Sequence, residues 1–172
     1  MIKKRHVQLP GTAGAHDMQP GQRRPEALVG FGFRYWLAGF RTGDVGCWEL
    51  AWNVYASELG AQRAKPVITE LSCWVRSIHQ GAARGIEISP ASCPGFCRDE
   101  CLAISMVAAC QHSACPAMRS CAFALLGTSN VDAVVEGAEQ FAQHLTDADQ
   151  VLHVQSICNA AAVVGNRKPR PH

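Results

Sequence analysis

No stretch of this 172-residue sequence approaches the roughly 20 apolar residues needed to cross a bilayer. The most hydrophobic early segment, "EALVGFGFRYWLAGF", is interrupted by Arg34 and lacks a small-residue cleavage site. Despite the Arg23-Arg24 pair before it, it reads as a core helix behind a basic arm. A glycine-rich phosphate loop, a serine elbow and a His-Glu-x-x-His pair are all missing, so no common enzyme signature is present. There is no strong strand alternation and no internal repeat. Charged residues are sparse at 17% and hydrophobic ones reach 48%, which describes a globular chain with a real core.

The net charge of +2 hides an asymmetry. Residues 26–164 hold eight Lys and Arg against thirteen Asp and Glu, a net of −5, while the remaining basic residues sit in the two ends. Residues 1–25 and 165–172 are expected to be disordered basic tails around one helical domain, 26–164. Such tails can attract nucleic acid or an acidic partner, but no stacking or groove-reading motif supports nucleic acid.

Within the domain the periodicity is helical almost throughout, giving an all-α bundle of five to seven helices. Pro25 starts the first, with Leu28, Phe33, Trp36, Leu37 and Phe40 on its apolar side. Asp44 caps a second that ends at Gly60, and a third runs from about Ala61 to Gln80. Residues 81–92 form a loop, extended near Ile86–Ile88, and two helices follow in the cysteine-rich stretch. Ser129 and Asp132 form a capping box for another helix, and a short one around Ser156–Val164 finishes the fold. Phe31, Phe33, Tyr35, Trp36, Phe40, Trp48 and Trp52 pack between the first two helices. Any exposed part of that group marks a protein partner or homodimer surface.

Cysteine is abundant, and unevenly placed. Six of the nine lie in 93–121, in "CPGFCRDECLAISMVAACQHSACPAMRSC". The odd total and the lack of an export signal argue against a disulfide framework and for a reducing cytoplasm. Cys93 precedes Pro94 and Cys115 precedes Pro116, which places each thiol at a helix cap where the dipole favours thiolate. Cys97 and Cys101 share a helical stripe with Ile104 and Ala108, with Cys93 just ahead of it. Residues four apart on a helix have Cβ atoms about 5–6 Å apart, too far for a Cys97–Cys101 disulfide but suited to converging on a metal, whereas Cys93, at the helix boundary, could bridge to Cys97. Cys110, His112 and Cys115 make a second ligand group. Cys121 reads as core, and Cys47, Cys73 and Cys158 as isolated residues among apolar neighbours. The competing explanation is packing, because free cysteine buries readily as a small hydrophobe.

No C-x2-C pair exists, which argues against zinc knuckles and ferredoxin-type clusters. An irregular iron–sulfur cluster, zinc or copper(I) remains as a candidate cofactor for Cys93, Cys97, Cys101, Cys110, His112 and Cys115. The C-x3-C steps are similar in spacing to helical copper-storage proteins, which carry more cysteines through every helix. The block "CPGFCRDECLAISMVAACQHSACPAMRSCAFALLG" resembles a small family of uncharacterised cysteine-rich bacterial proteins, with no activity or functional residue to carry over. The expectation is a cytoplasmic accessory or regulatory protein whose thiols bind a soft metal or respond to oxidation. The alternatives are a metal-free interaction module and a thiol-dependent enzyme using Cys115 with His112. Asp99 and Glu100 are expected to favour the helix dipole or to shape the charge around Cys97 and Cys101.

Overall fold

A computed structural model describes residues 24–158, and these form six α-helices with no strand among the described residues. They are α1 Pro25–Thr42, α2 Val45–Leu59, α3 Ala61–Gly81, α4 Arg98–Gln111, α5 Cys115–Leu126 and α6 Asp132–Asp147, followed by a 3-10 turn at Val154–Ser156. The expected all-α architecture is the observed one.

Local signals set most of the boundaries. Pro25 opens α1, and Gly43 closes it in the left-handed conformation that glycine adopts without steric cost. The Asp44 carboxylate accepts the Gly46 N–H at 2.9 Å and caps α2. One expectation fails. The 129–132 capping box does not form: Val131 is the N-cap of α6, with no side-chain bond, and the Asp132 carboxylate pairs with Arg119 at 2.9 Å. Of the short helix expected around Ser156–Val164, Ser156 ends the 3-10 turn and residues 157 and 158 are outside it, while 159–164 lie outside the described residues.

The cysteine-bearing α4 is the central strut. Residues 102–109 are buried on every side, and the helix packs against α1, α5, α6 and the 3-10 turn. A helix apolar all round belongs inside a protein, and the small residues of "CLAISMVAA" let four neighbours approach it. α1–α3 complete the bundle around Phe33, Tyr55, Leu71 and Trp74, and Trp74 stacks on Phe141 of α6 at 5.3 Å.

The loop before α4 is fixed by a buried ion pair. Arg34 of α1, 1% exposed, donates Nε to Glu100 Oε1 at 2.7 Å and Nη2 to Glu100 Oε2 at 3.1 Å. Its remaining N–H groups bond the carbonyls of Pro90 (3.2 Å), Cys93 (2.7 Å) and Gly95 (2.5 Å). All five guanidinium donors are therefore used. Glu100 also accepts from Ser89 Oγ (2.9 Å), Ser89 N (3.1 Å) and Cys97 N (2.8 Å). Phe96 seats the same loop on α1 against Gly30, where a Cβ would collide with its ring. Arg84 grips Asp99 through two N–H groups, at 2.7 and 2.9 Å. Asp99 and Glu100 are thus buried anchors, a larger role than interaction with the helix dipole.

Candidate functional site

The thiols singled out by sequence fall into separate places. Cys93 lies in the loop, not at a helix cap, with its N–H on the Pro90 carbonyl and its own carbonyl on Arg34. Cys97 is the N-cap of α4, and the Glu100 carboxylate reaches back to its N–H as one half of a capping box. The helix starts one turn later than the Cys-Pro step suggests because Arg34 and Glu100 hold residues 90–97 in an irregular path. Cys101, exposed, occupies the first turn of α4. Cys115 is the first residue of α5, one position inside the cap at Ala114.

Neither thiol at the start of α4 is activated. Burial raises the pKa of Cys97, and the nearby Glu100 charge adds to it. Cys101 is raised by burial and by the charges of Cys97, Cys158 and Glu100. At the other end of α4, Cys110 is driven up to about 12 by burial and by the charges of Glu139 and Cys115, and its sulfur lies 3.1 Å from Met118 Sδ. His112 Nε2 is engaged by the Leu152 carbonyl at 2.8 Å, so that nitrogen is not free to serve Cys115 or a metal.

Nor do the six candidate ligands converge. Cys101 and Cys110 are nine residues apart on one helix, a rise of about 13–14 Å. Among the described residues no group of three or more His, Cys, Asp or Glu side chains could hold a metal ion. The ligand set Cys93, Cys97, Cys101, Cys110, His112 and Cys115 is therefore split between the two ends of α4. A regular helix separates its own residues too far for any shorter route between them.

A different pair does come together, and the sequence assigned both members to packing or isolation. Cys121 of α5 is fully buried against the middle of α4. Its Sγ lies 3.3 Å from Ser105 Oγ, within hydrogen-bond reach, and the same hydroxyl oxygen accepts the backbone N–H of Cys158 at 2.8 Å. Glu26 holds the preceding segment in place, accepting from His153 N at 2.7 Å and Ser156 Oγ at 2.9 Å. Gln111 does the same nearby, donating to the Gln150 carbonyl and accepting from Leu152 N, each at 2.8 Å. Cys158 thus arrives beside the Cys121 thiol, half-buried.

The two sulfurs differ sharply in acidity. The Cys121 thiol donates to Cys158 and pulls the Cys158 pKa down to about 6. Burial works against this, while the Ser105 hydroxyl, a backbone N–H and the Arg98 charge assist. Cys121 moves the other way: its proton is held by the hydrogen bond to Cys158, and burial disfavours its anion. The arrangement favours the anion at Cys158 and the proton at Cys121, the pairing suited to one sulfur attacking and a second resolving. Only the polar Ser105 inside "CLAISMVAAC" hinted at this in the sequence. Cys73, expected among apolar neighbours, is exposed instead.

The other departure from simple packing is on α1 and α2. Trp36, Trp48 and Trp52 leave an open groove of about 470 Å³ beside Glu49.

No protein-family model, no curated protein and no solved structure matches this chain. Among the described residues, no helix is long and apolar enough to cross a membrane.

Proposed function

We propose that this is a redox-responsive accessory or regulatory protein of a reducing compartment such as the cytoplasm, in which Cys158 is the reacting thiolate and Cys121 its partner. The observation that carries the reading is the junction at Ser105, where one hydroxyl bonds both the Cys121 thiol and the Cys158 backbone. The oxidant is a hydroperoxide. The Cys158 sulfur attacks the terminal oxygen, forming an S–O bond and breaking O–O, and the departing oxygen leaves as water or alcohol after taking a proton. The Cys121 sulfur then attacks the Cys158 sulfur. The S–S bond forms, the S–O bond breaks, and hydroxide leaves as water with the Cys121 proton. Two thiols lose two electrons and the peroxide gains them; a low-molecular-weight thiol reverses the change by exchange.

Two thiols and a hydroxyl are an incomplete ligand set for zinc or an iron–sulfur cluster, which favours oxidation over those two cofactors. The product would staple the segment after Leu152 to α5, changing the surface there for a partner to read.

One equivalent of hydrogen peroxide added to reduced protein is expected to remove two hydrogens per chain and link the Cys121 and Cys158 peptides. In Cys121→Ser a sulfenic-acid reagent should label Cys158, and Cys158→Ser should abolish both products. Linkage of Cys93 to Cys97, or no oxidation at all, would refute the assignment.

A further inference from the structure

Three of the four tryptophans converge on one groove between α1, α2 and α3, while the fourth, Trp74, is in the core. Trp48 is locked in position. Its ring lies over Gly39, where any Cβ would collide with it, and its Nε1 donates to the Trp36 carbonyl at 3.4 Å. The Trp36 and Trp48 rings sit 6.0 Å apart at 30°, and Phe40 meets Trp48 edge-on at 5.8 Å. Trp52, one turn further along α2, is 37% exposed. Trp36 is half-buried with its Nε1 unpartnered among the described residues, and Trp52 stays partly exposed to water.

Charge narrows what would cover it. Glu49 stands in the groove wall, exposed, with no ion-pair or hydrogen-bond partner among the described residues. From Asp44 to Gly60 there are three acidic residues, Asp44, Glu49 and Glu58, and no Lys or Arg. A purely apolar occupant would desolvate Glu49 without compensation. A strongly hydrated ammonium would lose more water than indole faces return. A quaternary ammonium group satisfies both walls: its charge is diffuse and weakly hydrated, its methyl groups suit apolar contact, and the indole face is the strongest aromatic partner for a cation.

We infer that the groove formed by Trp36, Trp48, Trp52 and Glu49 binds a quaternary ammonium group. The site is separate from the thiol pair and does not depend on it. Its chemistry would be supplied either by a free solute such as choline or by a trimethylated lysine side chain.

The test is titration of the full chain with choline chloride, read by tryptophan fluorescence and calorimetry, beside 3,3-dimethylbutan-1-ol, the uncharged isostere. Choline should give saturable binding that the isostere does not. Trp52→Ala and Glu49→Gln, both exposed positions whose folding is checked by circular dichroism, should each weaken binding by about two- to fivefold. Trimethyllysine in the same assay names the source: whichever of it and choline binds more tightly is the better model of the ligand. Equal binding of the isostere, no saturable response to either cation, or unchanged affinity in both variants would overturn the inference.

Discussion

Cys158 and Cys110 carry the same functional group in surroundings that drive it in opposite directions. A thiol donor, a serine hydroxyl and an arginine charge act on Cys158, while burial beside Glu139 and Cys115 acts on Cys110. Alkylation by iodoacetamide requires the thiolate, so its rate at Cys158 should rise with pH around a midpoint near 6. Cys110, at about 12, should stay unmodified through pH 9 in the folded protein. In Cys121→Ala the strongest influence on Cys158 is gone, and its midpoint should move upward. Peptide mapping after timed alkylation checks all three, and a Cys158 midpoint near 9 would remove it as the reacting residue. The sequence pointed to Cys93 and Cys115 through their prolines. That logic holds for an isolated helix start, but Arg34 bends the loop at Cys93, and neither residue is the N-cap of its helix.

At the scale of elements, the junction of α1 with the start of α4 rests on one ion pair. Burial opposes the charge on Glu100, but the bonds from Arg34, Cys97 and Ser89 outweigh it and hold its pKa below the ordinary value. Arg34 is correspondingly raised, with Glu100 overcoming the cost of burial. Replacing Arg34 by Met leaves Glu100 buried and unpaired and should cost about 3–5 kcal/mol in chemical denaturation. A carboxyl with a depressed folded pKa contributes stability that is present above its unfolded value and lost as pH falls through the folded one. Stability should therefore decline as pH drops below about 4.5, and the decline should be shallower in Glu100→Gln. A loss under about 1 kcal/mol for Arg34→Met would show that the loop is held by packing alone. The acidic pair at 99 and 100 was legible as a helix start. Its partners were not, because Arg34 is 66 residues from Glu100 in sequence.

For the whole molecule, α4 touches α1, α5, α6 and the 3-10 turn, so no part of the bundle buries its own core alone. Unfolding should be a single cooperative transition. Urea curves followed by tryptophan fluorescence, which reports α1–α3, and by far-ultraviolet circular dichroism should coincide. Two separated transitions would mean that α1–α3 form an independent unit.

The amino-acid order by itself determined the helices. Periodic apolar residues, Pro25, the Asp44 cap and the glycines at 43, 60 and 127 act within a few residues of where they stand, and the starts of α1, α2, α3 and α5 follow from such local chemistry. It also determined that thiols would be concentrated around α4, and that three tryptophans would fall on α1 and α2. Which thiols meet was decided only by the tertiary structure. Cys121 and Cys158 reach Ser105 across 16 and 53 positions, because α5 packs on α4 and Glu26 pins the following segment beside it. The two candidate ligand groups, by contrast, are kept at opposite ends of α4 by the helical rise itself. A helix keeps its residues on a fixed rise, whereas long-range packing alone chooses which of them find a neighbour.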